Sequence, residues 1–386
     1  MSNLHCPLPR FNSKGEQLVS EAVQDGIPTP ATVRHHLEVR EESLSPFATR
    51  STQTRGRQVP DALCPIRTEF QRDRDRIVHS KAFRRLKHKT QVFIAPLGDH
   101  FVTRLTHTLE VSQIGRTIAR ALNLNEDLTE AISLGHDLGH TPFGHIGEDQ
   151  LNIMHPEGFR HSQQSLKIVD QLEKDGVGLN LTWEVRQGIV SHSKPRGDFL
   201  NADIINELTP EAQICRVSDA VAYLNHDLGD AFRSGALRED DIPTQVVQVL
   251  GRRHSERVNT MVTDIIENSW ELTGLTESSA DGAAPVITMG PNVREAVNSL
   301  REFMFQNVYD PEDASEEGLT ARRVVSLLYR HYNTHRDEIP QEYHQRSESE
   351  DHSVVDYIAS MTDRYALRIA EKLQPGIAQT FYSRQL

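Results

Sequence analysis

Apolar residues recur every three or four positions along most of this chain, a spacing that is typical of amphipathic helices. The clearest stretch places one histidine and four apolar residues on a single helical face. These residues are His107, Val111, Ile114, Ile118 and Leu122. No stretch alternates convincingly between apolar and polar residues, and no internal repeat is found. The pattern therefore predicts an all-α fold.

Capping residues and prolines indicate where several of the predicted helices begin. Asn125 is a good N-cap and is followed by two acids in the first turn, where the helix dipole favours negative charge. Thr209 similarly precedes Pro210, a residue well suited to the first helical position. With the periodicity, these signals predict helices over residues 32–48, 70–86, 100–122, 125–137, 162–173, 180–191, 209–229, 244–253, 256–273, 292–309, 319–331 and 353–373.

The same pattern divides the chain into three regions. Residues 1–65 are expected to form an N-terminal arm with one short helix, and residues 66–240 a helical core. Residues 241–386 are expected to form a C-terminal helical region that packs on this core. The part of the arm over 50–65 contains Pro and Gly and has no core pattern of its own, so we expect it to pack on a neighbouring subunit.

Three segments outside the helices are marked by their composition. Residues 276–285 consist mainly of small and acidic residues, which predicts a flexible linker. Residues 310–317 and 345–351 are rich in charged side chains and are expected to be loops.

Composition narrows the cellular setting. The chain has 386 residues and only three scattered cysteines, so we expect no disulfide framework and a reducing, cytoplasmic compartment. No apolar run approaches the ~20 residues that span a bilayer, and the first ten residues lack the pattern of a signal peptide. The net charge of −13 disfavours general binding to nucleic acid or to anionic membranes.

The charge is unevenly distributed along the chain. Residues 66–107 contain ten Lys or Arg against four Asp or Glu. A basic segment in an acidic protein suggests a partner with concentrated negative charge, such as a polyphosphate that the segment would line. The alternative is a solvated basic helix face, and charge alone does not decide between the two.

The densest group of chemically active side chains lies between residues 134 and 148. It contains His136, Asp137, His140, His145 and Glu148. His136 and Asp137 can reach one metal ion from a helix end, with His140 one turn later on the same face. Two glycines and a proline then end the helix and bend the chain. His145 and Glu148 share a face of the next segment, so the stretch favours a hydrolytic metal site.

Two further residues extend this site. His107 lies on an apolar helical face, and Asp219 begins a row with Tyr223 and Asp227 at positions i, i+4 and i+8. Core helices seldom align an acid, a tyrosine and an acid unless that side meets something polar. For His107, the alternative is a core histidine that is hydrogen-bonded to a carbonyl. For the row that begins at Asp219, the alternative is a stripe of residues facing solvent, although the apolar neighbours of Asp219 weigh against it.

Hydrolysis of a phosphate ester or anhydride needs an activated water, neutralised negative charge and a proton for the leaving oxygen. Two histidines and two aspartates from three helices would hold the metal ion for this chemistry. They are His107, His136, Asp137 and Asp219. The donors suit Mg²⁺ or Mn²⁺, with Fe, Co, Ni or Zn as alternatives. His145 and Glu148 are then candidates for acid–base work, because a carboxylate orients and tunes an imidazole.

The arrangement His…His-Asp…Asp resembles the signature of the HD superfamily of metal-dependent phosphohydrolases. Longer motifs resemble the bacterial deoxyguanosine-triphosphate triphosphohydrolase (dGTPase)-like family within it. They are FQRDRDRIVHSKAFRRL over 70–86 with Lys89-Thr90-Gln91-Val92, RLTHTLEV over 104–111, HDLGHTPFGHIGE over 136–148 and DYIASMTDRYA over 356–366. The resemblance spans residues 31–375. It implies an HD-domain helical fold with additional C-terminal helices, in which 66–240 is the HD catalytic core.

The resemblance also implies a reaction and the residues that perform it. Family members convert a deoxynucleoside triphosphate (dNTP) and water into a deoxynucleoside and triphosphate. The metal ligands would be the four residues named above, and His145 the catalytic histidine with Glu148 as its partner and His140 near the α-phosphate. The implied substrate contacts are Arg104 and Tyr223 at the phosphates, Gln91 and Asp227 at the sugar, where a ribose 2′-hydroxyl is excluded, and His161 nearby.

Two other functions are left open. One is a different HD-type nucleotide phosphohydrolase, which would release phosphate or pyrophosphate. The other is a nucleotide-sensing or single-stranded-DNA-binding protein with little activity, although the intact ligand set argues against it. The expected partners are a dNTP substrate, a nucleotide effector at a second site, further copies in a homo-oligomer and, weakly, single-stranded nucleic acid. No membrane partner is expected.

Overall fold

The computed structural model of the chain describes residues 32–94, 100–193, 200, 207–275 and 285–382. Within these ranges the fold is all-α, as the periodicity predicts, and the only β-structure is two isolated bridges. No helix in the described part is long and apolar enough to cross a membrane. The predicted linker, apart from its last residue, and the first 31 residues of the predicted arm lie outside the described residues.

Eighteen α-helices are described. Those of the N-terminal half are α1 (Val33–Glu41), α2 (Glu69–Val78), α3 (Lys81–Arg85), α4 (Arg104–Ala121), α5 (Glu126–Gly135), α6 (Gly144–Met154), α7 (His161–Lys167), α8 (Trp183–Ser191) and α9 (Pro210–Ser234). Those that follow are α10 (Thr244–Leu250), α11 (His254–Asn268), α12 (Pro291–Met304), α13 (Asp310–Asp313), α14 (Glu316–Thr334), α15 (Gln341–Arg346), α16 (Glu350–Ser360), α17 (Asp363–Leu373) and α18 (Gln379–Tyr382). π-Helical turns continue α7 over Ile168–Leu172 and α12 over Phe305–Tyr309.

Side-chain caps explain where the helices around the site begin. Asn125 and Thr209 are N-caps as predicted, since each side chain accepts a hydrogen bond from the backbone of its first turn. The helix expected from residue 100 begins at Arg104 instead. There Thr103 and Thr106 bond to each other's backbone groups in a capping box, which fixes the start.

Some predicted helix ends were wrong. α9 does not stop at Gly229 but continues to Ser234 and ends at Gly235, whose φ of 77° suits glycine. Residues 310–317 are not a loop, because they hold α13 and the first turn of α14, capped by Ser315. Residues 353–373 are two helices rather than one, since Thr362 caps the second of them.

Buried apolar side chains form two separate cores. The first joins α2, α4, α5, α8 and α9 with α10 to α12, and Ile118, Ile132 and Leu224 are completely buried in it. The second joins α14, α16 and α17 with one side of α6, to which Ile146 and Leu151 belong. α6 therefore packs with helices that follow it by more than 150 residues. The histidine-rich loop between α5 and α6 connects the two cores.

The arm docks on its own chain through Arg57. Its guanidinium pairs with Glu69 at 2.5 Å and with the fully buried Asp73. The same arginine donates to the carbonyl of Asn180 at 2.6 Å, so the arm is tied to both α2 and the segment before α8. Beyond this anchor, Val59 and Leu63 remain exposed. The expected contact with a neighbouring subunit stays a prediction.

Candidate active site

A cavity of about 390 Å³ opens between helices of the two cores. We call it the pocket. Ten of the twelve residues assigned from the sequence line it, although they come from positions 91 to 227. The other two lie directly behind its wall: His136 is next to His107, with their rings 5.4 Å apart, and Glu148 is hydrogen-bonded to His145.

The four candidate metal ligands meet at one side of the pocket. His107 Nε2 lies 3.2 Å from Asp219 Oδ1 and 3.9 Å from Asp137 Oδ2. His136 Nε2 lies 3.3 Å from Asp137 Oδ1. Ligand atoms bound to one ion with bond lengths of ~2.1 Å are separated by ~3–3.4 Å. Two of the three distances already match this spacing, and the distance of 3.9 Å between His107 and Asp137 is slightly longer.

The histidine rings are oriented so that their Nε2 atoms face the cluster. His136 donates from Nδ1 to the carbonyl of Ser133 at 2.6 Å. The Nδ1 of His107 lies 2.8 Å from Nε2 of His226, a residue that directly precedes Asp227. Ligating histidines usually have such a partner on the second nitrogen, because it fixes the tautomer and the ring orientation.

The charge state of the cluster also suits a cation. Nε2 of His136 is buried without a hydrogen-bond partner among the described residues, although Asp137 lies close to it. Burial lowers the pKa of His107, so the ring is neutral and can act as a ligand. Burial alone would raise the pKa of Asp137, but His140, His136 and Arg104 outweigh it and hold that pKa well below its usual value. These residues fit a divalent ion.

Arg104 connects this cluster with the rest of the pocket. It is 1% exposed, and its Nη1 donates to Asp137 Oδ2 at 2.9 Å. Its Nη2 approaches the backbone of the loop so closely that a Cβ at Gly144 would lie 2.7 Å from it. Gly144 has a φ of 57° as well, so both space and backbone conformation require glycine there.

A second cluster lies beside the first, with the rings of His136 and His192 4.8 Å apart. His145 Nδ1 lies 3.1 Å from Glu148 Oε2, and His161 Nδ1 lies 2.8 Å from the same oxygen. His161 Nε2 is in turn 3.0 Å from Nε2 of His192, whose Nδ1 donates to the carbonyl of Ile189 at 2.6 Å. The result is a continuous row of four side chains, of which His145 alone opens widely into the pocket, with 67% of its side chain exposed.

This row tunes the ring at its open end. Enclosure by protein lowers the pKa of His145, but the hydrogen bond and the charge of Glu148 outweigh it and raise that pKa above its usual value. Burial would raise the pKa of Glu148, yet His161 and His145 together hold it well below normal. His145 is therefore suited to carry a proton beside a permanent carboxylate.

His140 lies between the two clusters. Its Nε2 is 3.2 Å from Asp137 Oδ1, and its ring stacks on that of His161 with centroids 3.9 Å apart. Burial, followed by the charges of Arg104 and His161, holds the pKa of His140 well below its usual value. The ring is therefore neutral, and its Nδ1 is buried with no hydrogen-bond partner in the described structure.

The loop that carries these residues differs from the prediction. α5 ends at Gly135, not near Gly139, so His140 does not share a helical face with His136. A Cβ at Gly139 would lie 2.2 Å from the backbone nitrogen of Ser165, which shows how tightly the loop packs on α7. Phe143 then adopts a left-handed conformation with φ 63°, and α6 begins at the next residue.

The far end of the pocket is closed by the C-terminal helices. Tyr309 donates its hydroxyl to Asp227 Oδ2 at 2.9 Å, and Arg301 donates from Nε to the Tyr223 hydroxyl at 2.8 Å. Gln91 lies at the same cavity, and its Oε1 is buried with no hydrogen-bond partner in the described part of the chain. An unsatisfied acceptor at a pocket wall indicates a position for a donor on a ligand.

Four residues of the site were missed from the sequence. Three of them, His192, Arg301 and Tyr309, line the pocket, and the fourth, His226, lies behind its wall against His107. A weak signal for His192 was its position at the end of an apolar helix. A weak signal for His226 was its position next to Asp227. Arg301 and Tyr309 had no local signal, because only the packing of the C-terminal helices brings them to the pocket.

The expectation that the basic segment lines a polyphosphate site was wrong for most of its arginines. Arg67 pairs with Asp75 at 2.6 Å, and Arg72 with Asp61 at 2.7 Å. Arg74 and Arg76 likewise pair with acids of the scaffold. Their partners are acids of the arm, of α2 and of α5. Among the ten basic residues of the segment, only Arg104 is found in the described lining of the pocket.

Comparison with known proteins agrees with the motifs. Residues 104–224 match the HD domain, and residues 287–372 match the phosphohydrolase-associated domain. A deoxyguanosinetriphosphate triphosphohydrolase-like protein from Caldanaerobacter subterraneus subsp. tengcongensis is 50% identical, covering 86% of this chain and 92% of its own length. One from Desulfatibacillum aliphaticivorans is 49% identical, covering 89% of this chain and 98% of its own.

Similarity to a solved structure is weaker. A hypothetical protein from Aquifex aeolicus aligns with a TM-score of 0.43 and 18% identity, covering 81% of this chain and 70% of that one. The relatives at half identity, which this chain covers almost completely, confirm the resemblance seen in the motifs. The chain therefore belongs to the family of deoxyguanosinetriphosphate triphosphohydrolase-like proteins.

Proposed function

We propose that this HD-type phosphohydrolase is a metal-dependent dNTP triphosphohydrolase, which converts a dNTP such as dGTP and water into a deoxynucleoside and triphosphate. One observation carries the proposal. A single cavity is lined by candidate metal ligands and by His145, the histidine paired with Glu148. The same cavity is lined by two hydrogen-bond acceptors, Gln91 and Asp227. This combination provides for the three needs of the reaction, which are charge neutralisation, proton transfer and recognition of the sugar.

The metal ion would be held by the four-residue cluster of His107, His136, Asp137 and Asp219. When bound there, a divalent ion such as Mg²⁺ or Mn²⁺ supplies Lewis acidity, both for water and for a phosphoryl oxygen. Arg104 positions Asp137 through its 2.9 Å bond and keeps a positive charge at the pocket wall. That charge favours the approach of a polyanionic phosphate chain.

His145 would deliver the proton that the reaction requires. Hydrolysis forms a bond from the water oxygen to the α-phosphorus, releases one proton from that water, and breaks the bond from the same phosphorus to the 5′-oxygen. The 5′-oxygen then needs a proton, which an exposed imidazolium can give. Glu148 supports this role because it raises the pKa of His145. His140, which is neutral and buried beside His161, would contact the α-phosphate rather than carry the proton.

The far end of the pocket would bind the nucleoside. Gln91 offers an acceptor with no partner in the described structure, and Asp227 is oriented by Tyr309. A 3′-hydroxyl can donate to such acceptors, and we expect the wall at this end of the pocket to exclude a 2′-hydroxyl. Tyr223, held by Arg301 at 2.8 Å, would contact the phosphates between the metal cluster and the sugar.

The proposal is tested by incubating the full-length protein with single dNTPs and with their mixture, with Mg²⁺ or Mn²⁺, and identifying the products. Deoxynucleoside and triphosphate in equal amounts are expected. The matched control is His145→Ala, which removes the proposed acid but leaves the metal cluster intact. Orthophosphate or pyrophosphate as the first product would support the alternative of a different HD phosphohydrolase. If no dNTP is hydrolysed, the proposed dNTP triphosphohydrolase activity is contradicted.

We further propose that the protein acts as a cytoplasmic homo-oligomer that can respond to a second nucleotide. Val59 and Leu63 are exposed by 61% and 58% on the arm, next to the anchor at Arg57, and apolar side chains of this kind are commonly covered in an oligomer. Light scattering with and without dNTPs tests this directly. A monomer under both conditions would contradict it.

A further inference from the structure

A second group of metal-binding side chains lies away from the pocket, at the other end of α6. His155 and Glu157 belong to the turn that follows this helix, and His352 lies on α16. One ligand atom from each of the three lies within 4.8 Å of the other two. Since α6 has 11 residues and an α-helix rises 1.5 Å per residue, ~16 Å separate this group from His145 at the pocket end.

The turn that carries His155 and Glu157 is held in place by its backbone. The N–H of Gly158 donates to the carbonyl of His155 at 2.9 Å, and the N–H of Phe159 donates to Asn152 Oδ1 at 2.9 Å. Gly158 has a φ of 74°, and a Cβ there would lie 2.8 Å from Asn152 Oδ1, so only glycine fits without strain. The two side chains are thus presented from a fixed backbone.

His155 is the residue that points to a ligand. It is 5% exposed, yet neither of its ring nitrogens has a hydrogen-bond partner among the described residues. Its ring meets that of His352 edge to face, with centroids 5.1 Å apart. A buried imidazole with two unsatisfied nitrogens is unfavourable unless something outside the protein binds to one of them.

His352 has the arrangement that a ligating histidine usually shows. Its Nδ1 lies 2.9 Å from the hydroxyl of Ser349, which leaves Nε2 for an ion. That Nε2 lies 3.6 Å from Glu157 Oε2 and 3.8 Å from Glu348 Oε2. Ligands of one tetrahedral zinc ion are ~3.4 Å apart, so only small side-chain adjustments are needed.

We propose that His155, Glu157 and His352 form a second divalent-metal site, with Glu348 as a fourth ligand, which fastens the end of α6 to α16. Two imidazoles and two carboxylates suit Zn²⁺, Co²⁺ or Ni²⁺ better than Mg²⁺ or Ca²⁺, which prefer oxygen alone. The net charge of the ligand set also favours a cation. Lys167, a positive charge close enough to influence His155, is neutralised by Asp356 at 2.9 Å.

Such a site would fasten two helices of the second core to each other, and one of them carries part of the pocket. α6 carries His145 and Glu148 in its first turn and packs in the second core, to which α16 also belongs. An ion at the far end of α6 would fasten that end to α16. Binding would therefore stabilise the folded chain. The free energy of unfolding would rise with the logarithm of the ratio of free metal concentration to Kd.

Metal stoichiometry tests the proposal. The metal-free full-length protein is dialysed to equilibrium against Zn²⁺, and bound zinc is counted per chain by elemental analysis, with Co²⁺ absorption spectra as a second readout. His352→Gln is expected to bind one ion fewer than the wild type and to lose the corresponding Co²⁺ band. His79→Gln, which changes an exposed histidine at the end of α2, serves as the matched control and should bind as many ions as the wild type.

Glu157→Gln provides a second variant whose folding is not at risk, because that side chain is 71% exposed. It is expected to weaken zinc binding at the site at least tenfold while turnover with Mn²⁺ stays within twofold of the wild type. Equal zinc stoichiometry and affinity in the wild type and both variants would overturn the proposal. The count does not depend on dNTP hydrolysis, so failure here is distinct from failure of the proposed function.

Discussion

The Tyr309 hydroxyl donates to Asp227 Oδ2 across 2.9 Å, which joins the end of the π-helical turn after α12 to the last third of α9. The two residues are 82 positions apart, and Asp227 is 2% exposed. The bond orients one carboxylate oxygen at the wall of the pocket. Through it, a residue of the C-terminal helices shapes a wall formed mainly by the HD domain.

Tyr309→Phe is expected to impair sugar recognition. Hydrogen bonds to charged groups contribute ~1.5–3 kcal/mol, so kcat/KM for a dNTP should fall ~10-fold or more, with a smaller preference for dNTP over NTP. Steady-state kinetics with both sugar types measure this. Tyr343→Phe is the matched control, since its hydroxyl donates to Ser360 at 2.6 Å and does not belong to the described lining of the pocket. An unchanged dNTP preference in Tyr309→Phe would contradict the role.

His226 is expected to act as a positioning residue for His107. Replacement by leucine removes the ring that lies 2.8 Å from His107 Nδ1, and loss of such a partner typically weakens metal binding ~10–100-fold. Replacement by glutamine keeps an acceptor at a similar distance and should retain most of the affinity. Isothermal titration of Mn²⁺ into both variants decides the point, and equal affinities would show that His226 only fills space.

His136→Ala and His145→Ala should separate metal binding from proton transfer. The first removes a candidate ligand and is expected to abolish both bound metal and activity. The second is expected to retain the metal and to lower turnover ~10²–10⁴-fold, the usual contribution of a general acid. Elemental analysis beside turnover measurements tests the pair. Full turnover in His145→Ala would remove this residue from the mechanism.

The pH dependence should report the pair of His145 and Glu148. In the proposed mechanism His145 is the acid, so activity is expected to fall as pH rises through its pKa, which Glu148 raises. Glu148→Gln should therefore move the alkaline limb of kcat/KM to lower pH by about one unit. Asp149→Asn removes a neighbouring charge but not the 3.1 Å bond to His145, and should shift the limb less. An alkaline limb that stays in place in Glu148→Gln would contradict this assignment.

Lys89 should make stability depend on pH. It is 2% exposed, donates to the carbonyls of His140 and Ala359, and burial, followed by the charge of Arg85, lowers its pKa to about 7. The unfolded chain, with a lysine pKa of ~10.4, then binds more protons than the folded chain between pH 7 and 10. The free energy of unfolding therefore rises with pH in this window, by up to ~1.4 kcal/mol per unit.

Urea unfolding at several pH values between 7.5 and 9.5 tests this contribution. Lys89→Met should lose the rise, whereas Lys87→Met, at an exposed neighbouring position, should keep it. The wild type and the variants share all other titrating groups, so the contributions of these groups cancel when the slopes are compared. Parallel slopes in the wild type and Lys89→Met would show that Lys89 keeps its charge in the fold.

Local signals in the sequence were sufficient for most of the helices. Asn125 and Thr209 cap helices as predicted, because a cap depends on one side chain and the backbone three residues away. The ends were less predictable. α9 continues through Gly229 because the packing of the buried residues before and after it outweighs the modest cost of a glycine within a helix.

The arginines before His107 show why charge is a poor guide to a binding site. Their number indicated a polyphosphate partner, yet Arg67, Arg72 and their neighbours neutralise acids within the scaffold. Sequence spacing does not reveal whether an arginine faces a ligand or a carboxylate from another turn. Among them, only Arg104 belongs to the part of the pocket lining that the structure describes, because α4 directs its first turn toward Asp137.

The sequence by itself determined the helical class of the fold, the caps and the candidate histidines and acids of the site, since these follow from residue type and from spacing within about one turn. Tertiary structure alone decided that α6 packs with the second core, that His226 supports His107, and that Arg301 and Tyr309 close the pocket. Such contacts join residues far apart in the chain. They depend on which helix faces pack against each other and so exclude water, and no local sequence pattern encodes which faces pair.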